Sequence, residues 1–319
     1  MQRSKLGDNA VEKATCEPLV SVITPTCNRP DLLPRAFDSL LVQTYPHFEV
    51  IVGDDNEQGS ENSIRVQEVV EDYRQKGLDI TYFRTEGRIG AGKVRNMAAT
   101  YACGAYFVFL DDDDEFFPDK LKDQLAFMAS SGAGISYHDA TWFNEKGELV
   151  EYRRLNYSKS ETKEDLLRKH LLYHIAPGTT YMISREAFFA TSGWGDVKVG
   201  QDWHLMLDCI ENDGISVRYF PGMYVKQHLF ASHRLSLGKN KIEGERALYR
   251  VKLERKGQLS FLERRYIAFR HYAVLAFASK RSNMMGYAAG YALLAVLSSP
   301  YHCAVEARNY FSDDRSIGM

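Results

Sequence analysis

The sequence lacks the cysteine pattern of a disulfide framework or a zinc site. Its five cysteines are scattered along 319 residues, without a CxxC pair or a regular spacing. Such a pattern fits a reducing cytoplasm better than an oxidising compartment. An excess of charge is also missing, because the formal net charge is only −2, which argues against a nucleic-acid-binding protein.

Long apolar runs are also missing. No stretch has the uninterrupted apolar length of a confident transmembrane helix. The start of the chain, from Met1 to Lys5, is polar and has no apolar signal core. We therefore expect residues 1–18 to be a polar leader and the protein to be cytoplasmic.

The remaining composition is that of a protein with an ordinary core, since 45% of the residues are hydrophobic and 26% are charged. Apolar stretches of strand character lie at residues 19–24, 48–53, 80–83 and 105–110, with helical patterns between them. Alternating strands and helices predict an α/β fold with a mostly parallel central sheet and helices on both faces. Ligands of such sheets bind beyond the carboxyl ends of the strands.

The most unusual stretch is the acidic tip, residues 111–115, where four aspartates and a glutamate follow a buried strand. Adjacent like charges repel and raise one another's pKa. A divalent cation would relieve that repulsion, and Mg²⁺ or Mn²⁺ prefers carboxylate oxygens. Alternate residues of a strand point the same way, so Asp111 and Asp113 can share one ligand. Asp54 and Asp55 end the second strand, and we expect them at the same crevice.

The glycine-rich loop at residues 87–96 precedes a predicted helix. Glycines allow a close approach of the backbone to a ligand, and a helix N-terminus favours anions. The loop is not a Walker motif, because Lys93 is not followed by Ser or Thr. Arg88 and Lys93 are candidates for binding a diphosphate, although exposed basic residues at a helix start explain them equally simply.

After the acidic tip the pattern predicts a hairpin over residues 134–155, two late strands at 217–221 and 224–229, and helices from about residue 237. We predict a domain of residues 19–237 and a helical region of residues 238–319. In the latter, basic residues precede an apolar stretch at residues 284–297, which is too short to span a bilayer but long enough to lie in its interface. Two alternatives stay open: peripheral binding to the inner-membrane surface, or packing on the first domain or in a homo-oligomer.

Five short motifs occur in order along residues 19–234. They are Val20-Ser21-Val22-Ile23-Thr24-Pro25-Thr26-Cys27-Asn28-Arg29, Val52-Gly53-Asp54-Asp55, Gly90 with Arg95-Asn96, Leu110-Asp111-Asp112-Asp113-Asp114 and Gly200-Gln201-Asp202-Trp203. Together they resemble glycosyltransferase family 2 of the bacterial polysaccharide type. The resemblance implies a GT-A nucleotide-sugar fold in the first domain, followed by the helical region.

The resemblance also implies an activity. The protein would be a metal-dependent, inverting hexosyl- or N-acetylhexosaminyltransferase of cell-surface polysaccharide biosynthesis. The donor would be a nucleoside diphosphate sugar, most simply UDP-linked, and the acceptor a hydroxyl of a glycan or a lipid-linked glycan. The cofactor would be Mn²⁺ or Mg²⁺.

Roles for individual residues follow from the same resemblance. Asp202 would be the catalytic base. Asp113 would be the direct metal ligand with Asp111, and His228 would fold over the donor and bind the metal. Asp114 is a further ligand candidate, and His233 and Arg234 could contact phosphates. The residues expected to bind the nucleotide sugar are Pro25, Thr26, Asn28, Arg29, Asp55, Gly90, Arg95, Asp111 and Asp112; those expected at the acceptor are Trp194 and Trp203.

The sequence departs from the family pattern at two positions. Cys27 stands where the family usually has an aromatic residue, and Gln201 replaces the first member of an acidic pair. Asp202 could also simply cap its helix, and Trp194 and Trp203 could be packing residues. The loss at Gln201 keeps open a non-catalytic module that binds a nucleotide sugar or glycan. A sugar nucleotidyltransferase is a further alternative, disfavoured because that class usually has a glycine-rich loop with arginine after its first strand.

Overall fold

The computed structural model describes residues 17–197, 199–229 and 238–311. Of the predicted leader, only Glu17 and Pro18 are among them. The candidates His233 and Arg234 lie outside the described residues.

Strands and helices alternate through the first half of the chain. The strands are β1 (Val20–Thr26), β2 (Phe48–Asp54), β3 (Ile80–Arg84), β4 (Tyr106–Phe109), β5 (Glu115–Phe116), β6 (Ile135–Asn144), β7 (Leu149–Arg153), β8 (Met182–Ser184) and β9 (Val217–Leu229). The α-helices are α1 (Leu33–Leu41), α2 (Glu61–Gln75), α3 (Ala91–Tyr101), α4 (Lys120–Ser131), α5 (Lys163–Tyr173), α6 (Arg185–Phe189), α7 (Gln201–Glu211), α8 (Gly238–Glu254), α9 (Phe261–Arg281), α10 (Met285–Ser298) and α11 (Pro300–Phe311). Short 3₁₀ helices lie at Gly178–Thr180 and Lys256–Gln258.

The first four strands form the parallel half of the sheet, in the order β3-β2-β1-β4. All seven residues of β1 are buried, as expected for a strand covered by helices on both faces. Val20 and Val22 belong to the core cluster that includes residues of α1, α2 and α4, whereas Ile23 belongs to the cluster that includes residues of α3, α5 and α7. The predicted α/β fold, with helices on both faces, is confirmed.

Beyond β4 the sheet is mixed. β8 pairs antiparallel with β4 and β6, while β9 runs parallel to β6 and antiparallel to β5. The predicted hairpin is confirmed as β6 and β7. The two predicted late strands are one strand, β9. Its pairing passes from His138–Phe220 to Asp139–Met223, so the turn-forming Pro221 and Gly222 bulge out without ending the strand.

The helical region begins with α8 at Gly238, where the sequence predicts a boundary; the division into two domains stays a prediction. Helices α8 and α10 both pack against α9. In the described part of the chain, no single helix has both the length and the hydropathy of a membrane span. Met285–Ser298 and Pro300–Arg308 reach those values only when taken together, across a bend of 108°.

Candidate active site

The carboxyl ends of β1, β2 and β4 meet at one edge, as their parallel pairing requires. Thr26, the last residue of β1, accepts a hydrogen bond at its carbonyl from the backbone N–H of Asp55, at 2.9 Å. Its hydroxyl donates to the Asp112 carboxylate, also at 2.9 Å. The structure therefore brings Asp55 and the acidic tip to the end of β1, where the first loop (residues 27–32) begins, although they are far apart in sequence.

Arg29 neutralises part of the acidic tip. Its guanidinium donates to the carboxylates of Asp112 at 2.5 Å and Asp113 at 2.6 Å. Asp112 is buried, with only 1% of its surface exposed. Burial raises its pKa to about 7, although the charge of Arg29 acts in the opposite direction. Asp112 therefore faces the protein rather than a metal, with Arg29 and Thr26 as its partners.

The remaining aspartates of the tip form a group suited to a cation. One carboxylate oxygen from each of Asp111, Asp113 and Asp114 lies within 4.8 Å of the others. Burial and the charge of Asp111 raise the pKa of Asp113 by more than the charge of Arg29 lowers it. Burial and the charges of Asp113 and Asp111 raise the pKa of Asp114 well above its usual value. Three oxygen ligands that repel one another fit a hard cation such as Mg²⁺ or Mn²⁺.

The structure does not bring the His228 ring to this group. Its Nε2 lies 2.7 Å from a carboxylate oxygen of Glu115, whose other oxygen is 3.4 Å from the Lys226 ammonium. Only the backbone N–H of His228 reaches the tip, where it donates to Asp114 at 3.1 Å. Glu115 is thus a residue whose role the sequence did not predict, since it ties β9 to the acidic tip through His228 and Lys226.

Asp54 does not face the crevice, contrary to the prediction. It is completely buried. One carboxylate oxygen accepts two hydrogen bonds from Asn56, and the other accepts from the hydroxyls of Ser63 and Tyr82, both at 2.8 Å. Asn56 in turn accepts a hydrogen bond from the backbone N–H of Asn28 at 2.8 Å. Asp54 therefore positions the first loop through Asn56.

Asp55 shapes the glycine-rich loop. Its carboxylate accepts hydrogen bonds from the Thr85 hydroxyl at 2.6 Å and from the backbone N–H groups of Ile89 and Gly90, both at 2.9 Å. Gly90, with a φ of 98°, is the residue before α3 and adopts a conformation that favours glycine. A carboxylate has about four acceptor positions, and three of those of Asp55 are occupied, while 4% of the residue's surface is exposed.

Arg95 joins the acidic tip to α7. Its guanidinium forms an ion pair with Asp111 and lies 3.4 Å from the side-chain oxygen of Gln201. It also stacks over the Trp194 ring, 4.3 Å from the centroid. The other candidate cations of this loop bind elsewhere on the surface, Arg88 with Glu57 and Lys93 with Asp196.

Asp202 lies in the first turn of α7, which begins after Gly200. It is therefore inside the helix rather than its N-cap. Its carboxylate accepts hydrogen bonds from the backbone N–H groups of Trp203 at 2.9 Å and Gly178 at 3.3 Å. The Nε2 atom of His174 lies 3.5 Å away. The Asp202 side chain keeps 23% of its surface exposed and so stays open to a ligand.

Burial alone would raise the pKa of Asp202, but its neighbours outweigh that effect. The largest opposing contribution comes from His174, followed by the Trp203 N–H and the charge of Arg95, and together they lower the pKa to about 2. Asp202 is therefore ionised at neutral pH. His174 is the residue after α5 and has a φ of 54°, and no sequence motif marked it.

The two tryptophans are packing residues, which corrects their expected contact with an acceptor. Trp203 is completely buried, stacks on His170 and donates its indole N–H to the His170 carbonyl at 3.2 Å. Trp194 has 3% of its surface exposed. It lies against Arg95 and so close to Gly178 that a Cβ there would be 2.2 Å from the ring.

Similar solved structures identify the fold. The S. aureus TarS fragment 1–349 in complex with UDP-GlcNAc has a TM-score of 0.58 and 19% identity, over 89% of this chain and 92% of that chain. The mannosyltransferase PcManGT from Pyrobaculum calidifontis, in complex with GDP-Man and Mn²⁺, also has a TM-score of 0.58, with 20% identity over 93% and 81% of the two chains. The predicted GT-A fold, with its C-terminal helices, is confirmed.

The family model for glycosyl transferase family 2 matches residues 21–189. The chain belongs to this family of transferases, as the motifs predicted. TuaG of Bacillus subtilis, whose name assigns it to teichuronic acid biosynthesis, is 32% identical over 53% of this chain. A glycosyltransferase of Methanocaldococcus jannaschii is 28% identical over 62%.

A third relative is WfgD of Escherichia coli, named as a UDP-Glc:α-D-GlcNAc-diphosphoundecaprenol β-1,3-glucosyltransferase. It is 32% identical over 44% of this chain. The matched segments span 64% of TuaG, 66% of the M. jannaschii protein and 54% of WfgD. The chain therefore matches two thirds or less of the length of these relatives.

Proposed function

We propose that the protein is a metal-dependent, inverting glycosyltransferase of cell-surface polysaccharide biosynthesis. It would transfer a hexosyl or N-acetylhexosaminyl group from a UDP-sugar to a hydroxyl of a glycan or lipid-linked glycan. One observation carries the proposal: Arg95 contacts both Asp111 of the acidic group and Gln201, the neighbour of Asp202. The cation-binding group and the residue beside the ionised Asp202 thus lie on either side of one guanidinium.

The chemistry divides between the acidic group and Asp202. Asp111, Asp113 and Asp114 would hold the cation, which when bound neutralises charge on the departing diphosphate. Asp202 accepts the proton of the acceptor hydroxyl. The hydroxyl oxygen forms its bond to the anomeric carbon as the bond from that carbon to the phosphate oxygen breaks. Attack from the side opposite the leaving group inverts the configuration.

The nucleotide base would lie on the side of Asp55. A cavity of about 610 Å³ opens there, between β3 and the glycine-rich loop. Thr85 and Ile89, which both bind the Asp55 carboxylate, line it together with Met97. The names of WfgD and of the TarS complex contain UDP-sugars, which favours uracil over the guanine of the PcManGT complex.

A thermal-shift screen with Mn²⁺ tests the donor. We expect UDP-sugars to raise the Tm more than GDP- or dTDP-sugars do, and EDTA to abolish the rise. A larger rise with a GDP-sugar would overturn the proposed base, whereas equal rises with and without EDTA would overturn the proposed role of the metal.

The departure at Gln201 makes a non-catalytic binding module the alternative to test. Its neutral side chain faces Arg95, where the family usually has a carboxylate. Such a module would bind the sugar nucleotide without releasing UDP, while a nucleotidyltransferase would release pyrophosphate from a nucleoside triphosphate. Product analysis with the preferred donor, with and without a glycan acceptor, and in parallel with a nucleoside triphosphate and a sugar 1-phosphate, distinguishes the three classes.

We expect His174→Asn to shift the acid limb of the pH profile for kcat/KM upwards by about one unit or more. Asn tolerates the left-handed backbone at this position but removes the imidazole that lowers the pKa of Asp202. Because activity requires the carboxylate, a higher pKa means that activity is lost at a higher pH on acidification. Steady-state rates measured from neutral to acidic pH check this.

His174→Lys is the matched variant, because it keeps a positive charge near Asp202. The other charged or titratable groups near the carboxylate include Arg95, His170, Tyr181 and His204, and all of them remain in both variants. An unchanged acid limb in His174→Asn, or equal shifts in the two variants, would show that His174 does not act through its charge.

A further inference from the structure

Helix α10 exposes its large apolar residues, unlike an ordinary surface helix. Its inner side is formed by Ala288 and Ala295, which are buried against the other helices, and by the partly buried Tyr291. Its outer side carries the large apolar residues, with Tyr287, Leu293 and Leu297 each at least 60% exposed. None of its 14 residues is charged. Helices of globular proteins normally point their large apolar residues inwards.

The exposed surface continues beyond α10. In α11, Tyr301 and Val305 are 72% and 37% exposed. We call these two residues and the exposed residues of α10 the apolar face; the members from α10 are Met285, Tyr287, Leu293, Leu294, Val296 and Leu297. Exposed large apolar residues clustered on adjacent helices in this way mark an interaction site rather than ordinary surface.

Positive charge lies at both ends of α10. From Arg264 to Arg308 the chain has six Arg or Lys residues and one acidic residue, Glu306. Arg265 donates a hydrogen bond to the Leu297 carbonyl at 3.0 Å, which fixes a guanidinium at the end of α10. Lys280 and Arg281 are exposed just before α10. An apolar surface with a cationic border is complementary to anionic lipid.

A second copy of the chain is the less suitable occupant. If two apolar faces packed against each other, the cationic borders of both copies would approach, and like charges would repel. A bilayer with anionic headgroups covers the apolar residues and neutralises the border at the same time. The separate lengths of α10 and α11, at 14 and 12 residues, favour helices that lie in the interface over one that spans it.

We propose that the apolar face binds the surface of an anionic bilayer. Leu293 and Leu297 enter the headgroup region, while Lys280, Arg281 and Arg265 contact lipid phosphates. The inference stands independently of the sugar-transfer chemistry, although such a surface would bring the enzyme to a lipid-linked acceptor.

Vesicle co-sedimentation of the full chain tests the proposal. The probes are vesicles of phosphatidylcholine alone and with about 30% phosphatidylglycerol. We expect binding to the anionic vesicles, weaker binding at high salt, and little binding to phosphatidylcholine. The double variant Leu293→Glu/Leu297→Glu should bind the anionic vesicles at least about tenfold more weakly, with unchanged Tm and unchanged transfer to a water-soluble acceptor. Leu253→Glu, at a 44% exposed position on α8, is the matched control.

A second variant tests the charged border. Lys280→Gln/Arg281→Gln should weaken binding to anionic vesicles and flatten its dependence on salt. Equal vesicle binding by the wild type and the double glutamate variant would overturn the proposal. A second result would also overturn it: a wild type that binds no vesicles and is a dimer in light scattering, with the two glutamates dissociating the dimer. The apolar face would then be an interface between copies.

Discussion

Asp202→Asn should lower kcat for sugar transfer by a factor of about 10²–10⁴ while nucleotide binding survives. Asn has nearly the shape of Asp, and its amide oxygen can still accept the N–H groups of Trp203 or Gly178. It cannot take up the proton of an acceptor hydroxyl. The change therefore removes the base but keeps the helix end, and it leaves the acidic group around Asp113 untouched. The measurements are UDP release with acceptor present and the affinity for UDP with Mn²⁺.

Asp213→Asn provides the control, because Asp213 is an exposed residue just beyond the end of α7, paired with Lys163. It should leave both quantities unchanged. Transfer by Asp202→Asn at the wild-type rate would contradict the role of Asp202 as base. A parallel loss of UDP affinity would place Asp202 in donor binding instead.

The parallel half of the sheet and the position of the acidic tip could be predicted because local patterns determine them. Buried strands such as β4 are continuous apolar runs, and parallel pairing places the carboxyl ends of such strands together. The different roles of Asp54 and Asp55 could also have been predicted. Neighbouring residues at a strand end point to opposite sides, so only one of the two can face the crevice.

In the acidic group of Asp111, Asp113 and Asp114, the alternation of side chains along a strand predicts only part of the arrangement. Alternation predicted Asp111 and Asp113 together, and both are in the group. The chain turns immediately after Asp111, however, and the backbone N–H of Asp114 donates to the Asp111 carbonyl at 3.1 Å. This turn brings Asp114 into the group and leaves Asp112 buried against Arg29.

The remaining site contacts join residues distant in sequence, and no local pattern encodes them. Glu115 binds His228 across 113 positions, and His174 approaches Asp202 from the end of another helix. The strand order in the mixed half of the sheet likewise depends on which strand pairs with β6. The turn residues do not determine that pairing. In α10, almost every residue is apolar, so the sequence could not indicate which side faces outwards.

The buried tryptophans show a different limit. An aromatic residue beside a catalytic aspartate can contact a sugar or support the backbone, and the sequence is identical in both cases. Here Trp194 and Trp203 are buried and support the site through their contacts with Arg95, Gly178 and His170. If Asp202 is the base, the acceptor-binding surface proposed above is formed by other residues around its exposed edge.

Asp113→Asn should weaken Mn²⁺-dependent UDP binding by at least about 100-fold. The substitution removes one of three carboxylates in the acidic group and one of the two acceptors that hold Arg29. The site then attracts a divalent cation less strongly, while Arg29 keeps its bond to Asp112. Calorimetric titration of UDP with Mn²⁺ and with EDTA measures the metal-dependent part of the affinity.

Two further variants separate loss of the metal from loss of structure. Asp111→Asn removes a different carboxylate of the group without touching Arg29, so a metal site requires it to weaken Mn²⁺-dependent binding as well. Asp119→Asn, at an exposed position before α4, should bind UDP as the wild type does. If Asp113→Asn and Asp111→Asn both retained the full difference between Mn²⁺ and EDTA, the acidic group would not be the metal site. The carboxylates would then have to be neutralised by Arg29 and Arg95 alone, which are the two cations that already contact them.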